Sequence, residues 1–106
     1  MTLVLTFTRD MKFYLQDIMI EDCSKYGVRT GKQGKRFDRA FNKCLKALAE
    51  KLVSNEKLKQ DGKLYLMADR GLPYGLVLRV MGKVRQGGIT KFGLIAEPSG
   101  EGKAKR

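Results

Sequence analysis

The chain has no histidine or tryptophan, two cysteines, two prolines, and 11 acidic against 22 basic residues. Each shortage excludes something. Without histidine the usual general base is missing, and no carboxylate pair or base-activated cysteine replaces it, so an enzyme is not expected. Two cysteines without histidine do not build a structural zinc site, and no motif calls for a cofactor. Cys23 and Cys44 allow one disulfide without requiring it, and Cys44 also reads as a small apolar member of a helical stripe. No apolar run approaches the ~20 residues that span a bilayer. No signal-peptide pattern precedes Leu3-Val4-Leu5. Two expectations follow: a cytoplasmic protein, or a domain separated from its anchor, which opening directly in a strand accommodates.

What remains is a basic chain of one-domain size. Its 106 residues, 42% hydrophobic and 31% charged, describe one folded core. The net charge of +11 favours anionic partners without choosing among nucleic acid, lipid head groups and acidic cell-wall polymer.

Thr2 to Thr8 alternates with period two, Leu3, Leu5 and Phe7 on one face, which predicts a half-buried strand. Arg9-Asp10-Met11-Lys12 reads as a turn, and Phe13-Tyr14-Leu15 as the returning strand of a hairpin. Ile18-Met19-Ile20 is apolar enough to extend a strand, but residues 21–35 read as a basic, polar loop. Within it, Gly27-Val28-Arg29-Thr30-Gly31-Lys32 fails as a phosphate-binding loop. Its glycines are too close, and Gln33 follows where Ser or Thr is required. From Lys35 to Val53, Phe37, Phe41, Cys44, Leu45, Leu48 and Leu52 recur at helical spacing and predict an amphipathic helix of about five turns. Ser54 to Gly62 reads as a polar connector.

The most organised stretch runs from Lys63 to Pro98. An apolar strand ends at Ala68-Asp69, Pro73-Tyr74-Gly75 opens a helix, Gly87-Gly88 closes it, and Lys91–Ile95 is a second strand. The expected fold is α+β, in the order β-β-α-β-α-β, with two helices on one face of a small sheet. The domain spans 1–98, and 99–106 is a flexible tail. Asp69, Arg70, Leu72, Pro73 and Tyr74 form the turn beyond a strand's C-terminal end, where ligands bind in open sheets, and are the candidate partner-contacting residues. A structural role competes: Asp69 caps the turn and Tyr74 covers the core edge. Arg79, Lys83, Arg85 and Lys91 are candidate contacts for an anionic surface, against the plainer reading of a solvated face.

Ala68-Asp69-Arg70, Pro73-Tyr74-Gly75, Arg79-Val80-Met81 and Gly88-Ile89-Thr90-Lys91-Phe92-Gly93-Leu94, in this order and with these gaps, resemble the periplasmic domain of the ExbD/TolR family. The detailed match covers residues 63–98. Phe92 stands where Ile or Val is usual, and the basic stretch Asp22–Lys35 departs from the family's compact spacing. The resemblance implies an inner-membrane protein with one transmembrane helix and this domain in the periplasm. It also implies a homodimer that works with an ExbB/TolQ-like membrane protein to pass proton-motive energy to a TonB/TolA-like protein, and, for TolR-type members, contact with peptidoglycan. The family's proton-carrying aspartate belongs to the transmembrane helix, so Asp69 does not inherit that role.

Two functions therefore compete. One is a non-catalytic energy-transduction domain. The other is a small basic nucleic-acid-binding domain, against which stands the lack of any recognisable arrangement of Phe13, Tyr14 and Tyr65. Under the first, a partner adds a strand at a sheet edge, with Leu3–Phe7 and Lys91–Ile95 as candidate edges and proline at Gly93 as the probe.

Overall fold

Leu3, Leu5 and Phe7 all point to one side of β1 (Thr2–Phe7) and are almost fully buried. The same side receives Leu64, Leu66 and Ala68 from β4 (Lys63–Ala68), which pairs with β1 in parallel. The computed structural model describes residues 2–28, 34–60 and 62–95. Around β1 and β4 it places β2 (Lys12–Leu15), β3 (Ile18–Asp22), a 3-10 turn (Cys23–Tyr26), α1 (Lys35–Val53), the short α2 (Glu56–Lys59), α3 (Tyr74–Gln86) and β5 (Phe92–Ile95). The sheet order is β3-β2-β1-β4-β5. The core joins the alternate strand positions to Phe37, Phe41, Cys44, Leu45, Leu48 and Leu52 of α1 and Val77, Val80 and Val84 of α3. The α+β class, with helices packed on the sheet, is as the sequence predicts.

Three details differ from expectation. The segment read as a polar loop from residue 21 completes β3 and then forms the 3-10 turn, with Val28 buried beyond it; the remainder of the failed phosphate-loop motif, 29–33, lies outside the described residues. Glu21 looks like a solvated residue, yet it is 3% exposed because Lys51 Nζ of α1 sits 2.7 Å from its carboxylate. That partner is invisible locally. Secondly, the Ser54–Gly62 connector holds one helical turn, capped by Asn55, whose side chain accepts the Leu58 N–H at 3.1 Å. Thirdly, β1 is the central strand, not an edge: α1 carries the chain from the hairpin to a parallel strand on β1's other side.

Lys51 ties α1 to β3 twice, since its Nζ also donates to the Ile20 carbonyl at 2.6 Å. Lys51→Met keeps the apolar stem but leaves Glu21 buried without its cation. A loss of about 2 kcal/mol is expected, below the roughly 3–5 kcal/mol of a fully buried pair because half of Lys51 is solvated. Urea denaturation of Lys51→Met, Glu21→Gln and the double variant checks this, the double being more stable than Lys51→Met alone.

Candidate functional site

Local geometry explains how the turn after β4 is built. The Asp69 N–H donates to the Phe7 carbonyl, extending the parallel ladder, and its own carbonyl accepts from Leu72 N–H at 3.0 Å. Its carboxylate accepts from Gly71 N–H at 2.7 Å and from the Arg9 guanidinium at 3.3 Å. A Cβ on Gly71 would fall 2.5 Å from that guanidinium, so a side chain there would displace Arg9 from Asp69. Asp69 therefore does the capping that the structural reading gave it. Pro73 then occupies the N-cap of α3, and its carbonyl accepts from Leu76.

The turn divides its candidate residues. Leu72 is in the core, whereas Tyr74 is 62% exposed and does not cover it. Tyr74 and Leu78 stand one helical turn apart on α3, both exposed, and Arg85 follows on the same ridge. Leu72, Tyr74, Val77, Leu94 and Ile95 line a shallow groove between this ridge and the end of β5, with the charged Asp69 and Arg70 at its turn end.

β5 is the edge strand beside that groove, and β4 is its only sheet neighbour among the described residues. The Leu64 N–H donates to the Lys91 carbonyl at 2.8 Å, with Leu64 opposite Phe92 and Leu66 opposite Leu94. In a parallel ladder this alternation turns the N–H and C=O of Gly93 towards β4 and those of Phe92 and Leu94 outward. The Phe92 carbonyl accepts from Arg85 Nη2 at 2.8 Å. Among the described residues no partner reaches the outward pair of Leu94. The opposite edge, β3, differs: Lys51 holds the Ile20 carbonyl, and the 3-10 turn continues from the strand. Ile18 and Met19 are exposed at its hairpin end.

The four basic candidates do not form one patch. Arg79 is engaged by Asp38 at 2.8 Å and Asn42 at 2.7 Å, with its guanidinium 4.9 Å from the centre of the Phe41 ring. Arg85 serves the β5 edge. Lys83 joins Lys46 and Lys59, together with Glu50, around a cleft lined by Ala49, Val53 and Gly87, a grouping of separate helices that sequence order does not reveal. Lys91 borders the adjoining cleft. Cys23 and Cys44 are joined by a disulfide and are both fully buried. No cluster of three or more metal-ligating side chains occurs among the described residues, and no helix among them is long and apolar enough to cross a membrane.

Carboxyl groups near the hairpin respond to acid. Hydrogen bonding from the Ser24 side chain holds the Asp22 carboxyl below its ordinary range, and the Thr8 side chain does the same for Asp10. Both depressed values mean stability present above the unfolded-state pKa and lost as pH falls through the folded one, below about 4. Asp10 is exposed and Asp22 half-exposed, so solvent screening keeps the loss small.

The family model described as "Biopolymer transport protein ExbD/TolR" matches residues 3–99, nearly the whole chain. A search of curated proteins returned no match.

Proposed function

Because the chain belongs to the ExbD/TolR family of non-enzymatic, membrane-associated energy transducers in biopolymer transport, we propose that it is the periplasmic, force-transmitting domain of a proton-motive-force-driven complex. It works as a homodimer with an ExbB/TolQ-like membrane protein, and a TonB/TolA-like protein adds an extended segment to the outer edge of β5. The carrying observation is that edge: main-chain groups at Leu94 face outward beside a groove lined by Tyr74, Val77 and Leu94. Strand addition uses such main-chain groups for affinity and neighbouring pockets for specificity. A buried disulfide suits the oxidising periplasm. The cleft lined by Lys46, Lys59 and Lys83, three cations against Glu50, is where peptidoglycan carboxylates would be met.

The direction of the β5 main chain selects the test. Proline at Gly93 would remove a bond inside the sheet and weaken β5 itself, so it is the wrong probe. Proline at Leu94 removes an outward donor, the situation in which edge strands tolerate proline. Leu94→Pro is expected to keep the melting temperature within a few degrees while abolishing recovery of the TonB/TolA-like protein with the full complex. Unchanged recovery by the folded variant would refute strand addition at β5.

A further inference from the structure

Arg85 occupies an oxygen that an added strand needs. Its Nη2 lies 2.8 Å from the Phe92 carbonyl, one of the outward acceptors on β5. An incoming main-chain N–H must compete with a charged donor already in place, and charge-assisted bonds are about twice as strong as neutral ones. An incoming segment with no acidic group would also leave the displaced guanidinium without compensation beside the new strand.

The same ridge of α3 sets the chemistry farther along the edge. Because α3 connects parallel strands β4 and β5, it runs against them, which sets Arg85 over the start of β5 and Tyr74 over its end. The guanidinium ends at the Phe92 carbonyl, and the groove is bounded by Leu94, two residues farther along β5, a separation of about 7 Å at 3.3 Å per residue. Side chains on one face of a strand recur every second residue, so the two features face positions i and i+2 of a segment paired with β5.

Resting on strand addition at β5, we propose that this edge selects an extended segment carrying a carboxylate and a bulky apolar side chain about two residues apart, on the same face. The carboxylate takes over the Arg85 guanidinium as it leaves the Phe92 carbonyl, and the apolar side chain lies in the groove formed by Tyr74, Val77 and Leu94. Arg85 is thus both a guard of the empty edge and the reader of the segment's charge.

The probe is a synthetic alternating peptide with Glu at its centre and Leu on both sides at the next same-face position, which presents the pattern in either strand direction. The control has Gln in place of Glu. Binding to the full chain is followed by amide NMR to millimolar peptide, with Leu94 hydrogen exchange reporting strand pairing. Wild type is expected to prefer the Glu peptide by about tenfold, the scale of one charge-assisted bond in a partly solvated site. Arg85→Ala is expected to erase the preference by tightening the Gln peptide, because the Phe92 carbonyl is then free. Equal binding of both peptides by wild type, with Leu94 protected, would overturn the role of Arg85 and leave strand addition standing. Absence of binding by wild type and Arg85→Ala, with Leu94 exchange unchanged, would overturn strand addition and this inference with it.

Discussion

Phe7→Ala is expected to lower the unfolding free energy by about 3–5 kcal/mol, the usual cost of truncating a fully buried aromatic. Phe7 ends the central strand, is wholly inaccessible, and stacks on Phe13 of β2 with ring centroids 4.3 Å apart. Its ring also faces Phe41 of α1 at 6.1 Å. Truncation therefore opens a cavity at the junction of hairpin, sheet and helix, where close packing lets neighbours relax only in part. For a domain of this size, whose net stability is of order 5–15 kcal/mol, the variant sits near the folding threshold at 37 °C. Chemical denaturation with fluorescence or circular dichroism measures the loss, and a cost below about 1 kcal/mol would show that Phe7 is not packed as described.

Loss of the Cys23–Cys44 bridge is the second large effect. The two residues are 21 apart in sequence, and closing a loop of that length restricts the unfolded chain by about 3 kcal/mol. The bridge anchors the 3-10 turn to α1, beside the Lys51–Glu21 contact that joins α1 to β3. The Cys23→Ala/Cys44→Ala double variant is expected to unfold at lower urea by a corresponding amount, with hydrogen exchange accelerating first in β3 and the 3-10 turn. Equal stability of the bridged and double-variant proteins would mean that the bridge contributes nothing to the fold. Both sulfurs are buried, so reduction of the native protein should require partial opening and be slow without denaturant.

The elements that sequence reasoning recovers are those whose signals are local. The period of Leu3-Leu5-Phe7 predicts β1, and the stripe from Phe37 to Leu52 predicts α1 with the same ends that the structure gives it. Gly88 adopts φ +113° after α3, as the glycine pair there foretells. What was not legible depends on residues distant in the chain. Glu21 belongs to a strand because Lys51 neutralises it, and Met11 turns inward to the core because its φ is +69° in the hairpin turn. The position of β1 in the sheet is set by the crossover through α1, so alternation within β1 could not distinguish a central strand from an edge. The candidate site was half visible. Asp69 and Tyr74 stood out by type and turn chemistry, whereas the pairing of Arg85 with the Phe92 carbonyl required the fold to bring helix and edge together.

Photo-crosslinking from single edge positions in native membranes shows which edge of the sheet receives the partner's strand. A crosslinker in place of Leu94 on β5 and another in place of Ile18 on β3 interrogate the two edges of one sheet. Adducts with a TonB/TolA-like protein are expected from Leu94, diminished when the proton-motive force is collapsed, and none from Ile18. Adducts from Ile18 with none from Leu94 would contradict strand addition at β5 and move the partner's strand to β3.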